Sequence, residues 1–195
     1  MRTGESDDIV ISAVDGGGLP AHLAEQVDAI FFETSGRSGF ASPEERMAFR
    51  ERWLGRYLAD GSDVVLIAQS PEGAVAGYLV GALKDPAEQE RFADIGYFRA
   101  AFRDLCRRYP AHLHINLAQA YRGRGIGACL IAAFAARAVA AGAPGFHVVT
   151  AKDARNVPFY RRCGLGVLGT TCWNGREVVF LGKALEAPGP ALTRR

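Results

Sequence analysis

The chain has 195 residues, of which 49% are hydrophobic and 23% are charged, and its formal net charge is +2. This length and apolar content are enough for one substantial hydrophobic core, so we expect a single domain spanning residues 1–195. The near balance of charge, with basic residues scattered along the chain, argues against a nucleic-acid or anionic-membrane partner.

The sequence also gives no sign of a targeting or membrane segment. No apolar run approaches the roughly 18 residues that a spanning helix needs, and the first residues are polar and acidic. We therefore expect a cytoplasmic protein with no membrane partner. The cysteines are far apart and form no C-x-x-C pair, which is typical of reduced thiols in packing positions: Cys106, Cys129, Cys163 and Cys172.

The first elements in chain order are a strand and two helices. Residues 9–14 alternate enough to predict a strand, and apolar residues at three- and four-residue spacing over 21–33 predict an amphipathic helix. Ser42 and Pro43 have the pattern of an N-cap followed by a proline in the first turn. A second helix is therefore expected from there to about residue 60.

The next segments predict a hairpin and a helical insertion. Two β-rich runs, 63–70 and 74–83, flank the short turn 71–73 and are typical of an antiparallel hairpin. Residues 85–110 then have polar residues outside and aromatic residues inside at helical spacing. We interpret this segment as a helical insertion between two strands of the sheet.

Residues 111–118 alternate strictly and predict a further strand. One face carries Leu113, Ile115 and Leu117, and the other carries His112, His114 and Asn116. A long helix follows over 127–142, and its sheet-facing stripe consists of Ile126, Leu130, Phe134 and Ala138.

The last third predicts a strand, a short helix and a second hairpin. Residues 146–151 have strand composition, and Asn156 is the favoured N-cap of the next helix because Pro158 is tolerated near its start. Asn174 and Gly175 give an Asn-Gly hairpin signal between two β-rich runs. The segments 1–7 and 187–195 are expected to be flexible tails.

Residues 121–127 read YRGRGIG, with three glycines and two arginines between a predicted strand and a predicted helix. The N–H groups of a first helical turn point outward with the positive end of the helix dipole. Glycines let an anion approach the main chain, and the arginines add positive charge at the rim. The sequence therefore predicts a phosphate-binding turn. The alternative is a tight turn whose glycines serve only close packing.

Two known phosphate motifs do not fit this turn. A nucleoside-triphosphate P-loop requires Gly-Lys followed by Ser or Thr, which does not occur in the chain. A dinucleotide fingerprint should follow the first strand and have an acid about 20 residues later. Here the turn follows roughly the fourth strand, and the first acid after it is Asp153.

A third motif fits. Residues 122–127 (RGRGIG) resemble the R/Q-x-x-G-x-G/A loop of the GNAT superfamily of acetyl-CoA-dependent N-acetyltransferases. Residues 156–165 (NVPFYRRCGL) resemble the second signature of that family, with Leu165 where phenylalanine is usual. Residues 92–117 further resemble the acetyltransferase-like domain attached to some O-GlcNAc hydrolases, which is sometimes catalytically degenerate.

The resemblance covers nearly the whole chain and implies a fold and a reaction. It implies an α/β (α+β) fold with a central mixed, mostly antiparallel twisted sheet of six to seven strands, flanked by helices and splayed between strands four and five. It implies transfer of an acetyl group from acetyl-CoA to an amine of a small molecule or protein, by direct attack in a ternary complex. A non-catalytic acyl-CoA-binding module and a scaffold without cofactor are the alternatives. We expect a monomer or homodimer.

The resemblance also implies the site residues. The coenzyme is expected to contact Leu117, Ala118, Arg122, Gly123, Arg124, Gly125, Ile126, Gly127, Ala128, Asn156 and Tyr160. The Leu117 N–H would stabilise the oxyanion, and the Tyr160 phenol would protonate the departing thiolate. Asn156 is open to two interpretations, a cofactor contact or a helix cap. Asp153 stands where many family members have asparagine, and a carboxylate there would repel phosphate.

The base is the least determined role. His114, or its strand neighbour His112, could accept a proton directly or through water, with His114 as the candidate. Grouping this pair with His147 or Cys106 as a metal site lacks the spacing of a zinc signature, so we expect no metal. The acceptor pocket is expected at the loop 34–42, around Tyr97 and Phe98, and near Trp173.

Overall fold

The computed structural model describes residues 9–14, 18–37, 39–59, 61 and 63–186. The strands of this part of the chain are β1 (Val10–Ala13), β2 (Val64–Gln69), β3 (Val75–Ala82), β4 (Ala111–Leu117), β5 (Gly145–Ala151), β6 (Gly166–Trp173) and β7 (Arg176–Ala184). The α-helices are α1 (Ala21–Thr34), α2 (Pro43–Arg50), α3 (Arg56–Leu58), α4 (Gly96–Arg99), α5 (Arg103–Arg108), α6 (Ile126–Ala140) and α7 (Val157–Arg162). None of these helices is long and apolar enough to cross a membrane.

The strands form a mixed sheet in the order β1-β2-β3-β4-β5-β7-β6. β1 is antiparallel to β2, and β7 is antiparallel to both β5 and β6. β4 and β5 are parallel and pair at Ala111 with Phe146 and at His112 with His147, whereas β4 continues to Leu117. The mixed, mostly antiparallel sheet flanked by helices confirms the predicted fold class.

Contacts within the chain divide it into two compact units. The first comprises the described parts of Met1–Val80 and His114–Ala132, and the second those of Gly81–Leu113 and Ala133–Arg195. The strands β3 and β4 and the helix α6 contribute residues to both units. The single domain stays a prediction, and the tails predicted at 1–7 and 187–195 lie outside the described residues.

The first unit packs α1 and the hairpin as predicted. The buried residues of α1 are Leu23, Val27, Ile30 and Phe31, which is the predicted apolar stripe. All eight residues of β3 and the first five of β2 are buried, as expected for central strands. The predicted cap of the second helix is also present, because the Ser42 hydroxyl accepts a hydrogen bond from the Glu45 N–H at 3.2 Å.

The second helix differs from the regular amphipathic helix expected to about residue 60. A π-helical stretch, Glu51–Gly55, lies between α2 and α3. Gly55 is buried, and a Cβ placed on it would lie 2.9 Å from Glu51 Cδ. A side chain at this position would therefore displace the Glu51 carboxylate. Such single-turn widenings of a helix are frequent at functional sites.

The second unit contains the insertion and the rest of the sheet. The predicted helical insertion over 85–110 is broken into α4, α5 and two 3-10 turns, Pro86–Glu88 and Glu90–Phe92. Phe98, Phe102 and Cys106 are buried as predicted, whereas Leu105 is only partly buried.

The predicted apolar stripe of α6 and the predicted Asn-Gly turn are confirmed. All four residues of the predicted α6 stripe, Ile126, Leu130, Phe134 and Ala138, are at most 5% exposed. The β6–β7 turn has Asn174 at φ 48° and Gly175 at φ 75°, the left-handed pair that an Asn-Gly hairpin requires.

The cysteines correct one prediction. All four are free thiols, and Cys106 is buried and Cys163 partly buried. Cys129 and Cys172 are exposed, so these two are not the packing residues that the sequence predicted. Their positions explain the difference, because Cys129 lies in the first turn of α6 and Cys172 on the edge strand β6.

Candidate active site

The carboxyl end of β4 is held against β3 within the first unit. The Ala118 N–H donates to the Ala76 carbonyl at 3.0 Å. A Cβ placed on Gly77 would lie 2.8 Å from the Asn116 carbonyl oxygen and 3.2 Å from Leu117 Cα. Only glycine allows this approach. The backbone is therefore closely confined at Leu117, the residue predicted to donate its N–H to the oxyanion.

The loop between β4 and α6 begins with a 3-10 turn, Gln119–Tyr121. Gly123 and Gly125 follow in the left-handed region, at φ 79° and 84°. A Cβ placed on either would meet no other atom within 4 Å, and residues 122–125 are exposed. The surface above these two glycines is open, so a ligand could lie directly on the main chain.

The first turn of α6 leaves main-chain donors for such a ligand. The N–H groups of Ala128 and Cys129 donate to the Gly125 carbonyl at 2.9 and 3.2 Å. Within the described residues, the N–H groups of Gly123 and of residues 125–127 have no main-chain acceptor. These donors and the open surface fit the diphosphate of coenzyme A, a group that favours the positive end of a helix.

The two arginines of the loop have different surroundings. Arg122 Nε donates to the Leu117 carbonyl at 3.0 Å, and its Nη2 lies 3.5 Å from Glu33 Oε1 on α1. The Arg124 guanidinium carbon lies 5.4 Å from the centre of the Tyr121 ring. The sequence predicted both side chains as charge at the rim, and for Arg122 the structure adds a contact with the backbone of β4.

His114 lies among aromatic residues of the first unit. Its Nε2 is 3.1 Å from the Tyr57 hydroxyl, and its ring makes edge contacts with Trp53 and Tyr57 at centroid distances of 5.6 and 5.4 Å. Burial, and to a smaller extent the charge of Arg56, lowers the pKa of His114 from 6.5 to about 4. The imidazole is therefore neutral at pH 7.

Next to this cluster, Asn116 Nδ2 donates to the Tyr78 hydroxyl at 2.8 Å. Burial raises the pKa of Tyr78, and the hydrogen bond from Asn116 opposes that rise. Asp28 on α1 and Arg50 on α2 form an ion pair at 2.7 Å, and both charges act on Tyr78. These residues join α1, α2, β3 and β4 by polar contacts.

Tyr160 belongs to the second unit. Its side chain is 3% exposed, and its ring lies 5.3 Å from that of Phe159. Burial, reinforced by Cys163, raises the pKa of the Tyr160 hydroxyl above its ordinary value of 10. The phenol therefore keeps its proton throughout the neutral range, as a proton donor must.

Asn156 corrects the predicted helix cap. It occupies the N-cap position of α7, but its side chain makes no capping hydrogen bond. Its backbone is helical, at φ −85° and ψ −12°, and the second helical residue is Pro158, which has no N–H to donate. The Asn156 Oδ1 instead accepts from the Thr150 hydroxyl at 3.2 Å. Asp153 is exposed.

His112 lies in the second unit and has surroundings unlike those of His114. It is 2% exposed, and its ring contacts Phe92 and Phe98 at centroid distances of 4.8 and 5.6 Å. It also stacks on His147 at 5.5 Å. This histidine is part of the core, so His114 is the accessible member of the pair.

The loop predicted to line the acceptor pocket is held by contacts with arginine. Arg37 Nη2 binds Glu45 Oε1 at 2.7 Å, and its guanidinium carbon lies 4.4 Å from the centre of the Phe40 ring. The Arg46 guanidinium carbon lies 3.5 Å from the centre of the Phe32 ring. In the second unit, Tyr97 and Trp173 make an edge contact at 5.0 Å.

The structure thus brings together part of the predicted site. Leu117, Ala118, His114 and the loop residues 122–128 lie in the first unit, whereas Tyr160 and Asn156 lie in the second. The sequence missed Glu33, Trp53, Tyr57 and Tyr78. For these four residues the sequence offered one signal, which was the four-residue spacing of the aromatic residues Trp53 and Tyr57. Among the described residues, no group of three or more His, Cys, Asp or Glu is placed to hold a metal ion.

Comparisons with known proteins agree with this geometry. A family model described as an acetyltransferase (GNAT) domain matches residues 65–164, just over half of the chain. This range includes β3, β4, the glycine loop, α6, β5 and all of α7.

Solved structures share the fold at low identity. A GNAT-family acetyltransferase from Desulfovibrio desulfuricans is 18% identical, with 90% of this chain and 98% of that chain covered and a TM-score of 0.62. An agmatine N-acetyltransferase in its apo form is 18% identical, with 92% and 100% covered and a TM-score of 0.63. A streptothricin acetyltransferase from Bacillus anthracis, in complex with acetyl coenzyme A, is 17% identical, with 68% of each chain covered and a TM-score of 0.51.

Proposed function

Because the chain belongs to the GNAT acetyltransferase family, we propose that it transfers an acetyl group from acetyl-CoA to an amine, by direct attack in a ternary complex. The observation that carries this proposal is the open glycine loop at the start of α6. Its N–H groups without a main-chain acceptor and the absence of a Cβ at residues 123 and 125 suit a bound diphosphate.

The residues that would hold the coenzyme follow from the loop. The main-chain donors of Gly123 and of residues 125–127 would bind the diphosphate, and Arg122 and Arg124 would add positive charge. The further residues proposed to contact the coenzyme are Leu117, Ala118, Asn156 and Tyr160. Acetyl-CoA supplies the thioester whose carbonyl carbon the amine attacks, with departure of the thiolate.

The chain supplies three groups to that reaction. The Leu117 N–H donates to the oxygen on which negative charge develops, a role that preorganised main-chain donors perform well. Tyr160 donates its phenolic proton to the departing thiolate, and its raised pKa keeps that proton in place until then. His114 accepts the proton that the attacking nitrogen loses. A pKa of about 4 makes it a weak base, so we propose that the amine arrives neutral.

The acceptor is proposed as an amine of a small molecule or of a protein. The agmatine N-acetyltransferase with the same fold acts on a small amine, and the aromatic lining of the loop 34–42 suits a small or partly apolar acceptor. We propose a cytoplasmic monomer or homodimer. The likeness of residues 92–117 to the domain attached to some O-GlcNAc hydrolases stays a prediction, and so does the alternative of a non-catalytic acyl-CoA-binding module.

The test compares two glycines with the same backbone conformation. Gly125 and Gly73 have the same φ of 84°, and a Cβ at either meets no atom within 4 Å. Alanine at either position should therefore cost a similar 1–2 kcal/mol of stability. We expect Gly125→Ala to weaken acetyl-CoA binding about tenfold or more by blocking the anion, and Gly73→Ala to bind normally.

The measurements are calorimetric titration with acetyl-CoA and release of free thiol with a panel of amines that includes agmatine. Equal affinities of the two variants would exclude the loop as the diphosphate site. Binding by the unmodified protein without thiol release on any amine would favour the non-catalytic module.

A further inference from the structure

Arg122 has a guanidinium that is shared between two acceptors. Nε donates to the Leu117 carbonyl at 3.0 Å, and Nη2 faces Glu33 Oε1 at 3.5 Å. The first contact is a well-formed hydrogen bond, and the second is a loose ion pair between side chains that are 44% and 46% exposed. The guanidinium is thereby turned back toward the end of β4.

The peptide group between Leu117 and Ala118 is held at both of its polar atoms. Its carbonyl accepts from Arg122, and its N–H donates to the Ala76 carbonyl at 3.0 Å. The Gly77 backbone closes on the same point. Fixing this peptide limits the rotation of Leu117, whose own N–H is the proposed oxyanion donor.

The position of Glu33 is unfavourable for the stability of α1. It lies in the last turn of α1, where the negative end of the helix dipole disfavours a carboxylate by about 0.3–1 kcal/mol. The cation that faces it is Arg122. The carboxylate is thus better explained by what it does to Arg122 than by what it does for α1.

We propose that Glu33 is a positioning residue of the acetyl-transfer site, which orients the Arg122 guanidinium so that it holds the Leu117 carbonyl. This inference rests on the proposed function and deepens it. Arg122 then serves the oxyanion donor through its side chain, in addition to the charge that it adds near the diphosphate. The competing account makes the Arg122 side chain a direct phosphate ligand that Glu33 only restrains.

The two accounts differ in what a substitution changes. A positioning role predicts a loss in the polarisation of the acetyl carbonyl at nearly unchanged affinity for acetyl-CoA. A phosphate-ligand role predicts a loss of affinity with normal polarisation of whatever coenzyme binds. The infrared carbonyl band of bound acetyl-CoA, labelled with carbon-13 in the acetyl group, reports polarisation without any acceptor amine.

The variants are Arg122→Lys, Glu33→Ala and Glu33→Gln, with Glu25→Gln on the same helix as the control. Arg122→Lys keeps the charge but loses the Nε donor, so the band should lose most of its shift and turnover should fall about tenfold. Glu33→Ala should lower turnover about threefold, while Glu33→Gln, which keeps an acceptor oxygen, should recover most of it. The dissociation constant should change less than turnover in every case.

Thermal unfolding separates this role from a structural one. Glu33→Gln should unfold at the same temperature as the unmodified protein or higher, because a carboxylate leaves the helix end. A normal carbonyl band in either Arg122→Lys or Glu33→Ala, whatever the affinity of that variant, would overturn the inference. Unmodified protein that binds no acetyl-CoA would overturn the proposed function itself, and this inference with it.

Discussion

Individual residues of the site combine ordinary side chains with unusual surroundings. The Tyr160 phenol is buried and its pKa is raised, while the His114 imidazole is kept neutral by a pKa of about 4. Both shifts have burial as their largest cause, and burial always disfavours the charged form. Each residue is therefore neutral at pH 7, as its proposed role in proton transfer requires.

Replacing Tyr160 tests the proposed proton donor. Tyr160→Phe keeps the buried ring and removes the hydroxyl, so turnover should fall about 10- to 100-fold and affinity for acetyl-CoA should change little. Steady-state kinetics and calorimetry measure the two quantities separately. Full activity of Tyr160→Phe would assign the proton donor to another group.

At the level of elements, the approach of β3 to β4 confines Leu117, the residue proposed as the oxyanion donor. The Gly77 backbone approaches β4 at Asn116 and Leu117, and there is no room for even a methyl group. This close approach of the two backbones, together with the hydrogen bond from Arg122 Nε to the Leu117 carbonyl, confines the end of the strand.

Gly77→Ala should therefore displace the end of β4. The added Cβ would lie 2.8 Å from the Asn116 carbonyl oxygen, and relieving that contact should cost about 1–3 kcal/mol of stability. Turnover should fall as well, because Leu117 moves with the strand. Gly96→Ala is the control, since a Cβ there meets no atom within 4 Å. The free energy of unfolding, from chemical denaturation, and the turnover are measured for both variants. If both quantities are unchanged in Gly77→Ala, β4 adapts to the added methyl group at no cost.

The elements also show which features the sequence could predict. The α6 stripe and the Asn174–Gly175 turn followed from periodicity and turn chemistry, because both patterns act locally. The π-helical stretch at Glu51–Gly55 could not be predicted, because over five residues its pattern is indistinguishable from that of an α-helix. The missing cap bond of Asn156 depends on Thr150, which lies on another element.

In the candidate site, too, the local features could be predicted and the contacts between distant residues could not. The glycine loop is contiguous in sequence, so its conformation and its open surface were accessible from residues 121–127. The contact between Glu33 and Arg122 joins residues far apart in the chain, and the sequence contains no signal for it. His112 and His114 look equivalent on one strand face, but they belong to different units and have different neighbours.

For the whole molecule, His114 links stability to pH. Its pKa is lower in the folded chain than its ordinary value of 6.5, so its contribution is complete above pH 6.5 and is lost as the pH falls toward 4. We expect a loss of about 1–2 kcal/mol from this residue over that window, less than the full shift implies because the side chain is partly exposed.

The comparison that isolates this contribution uses two histidines. His114→Gln should lose less free energy of unfolding between pH 6.5 and pH 4 than the unmodified protein does, whereas His22→Gln, at an exposed position on α1, should follow the unmodified protein. Urea unfolding across the window measures all three. If the free energy of unfolding of His114→Gln and of the unmodified protein fell in parallel with pH, His114 would not be the source of the pH dependence.

Segments of the two units alternate along the chain, and this order has a consequence for biosynthesis. The first unit takes the described residues up to Val80 and is completed only by His114–Ala132. A ribosome therefore releases β2 and β3, nearly all of whose residues end up buried, well before β4, the neighbour of β3, has been translated. During that interval the nascent hairpin exposes a hydrophobic strand with an unpaired edge, which is the kind of segment that chaperones shield.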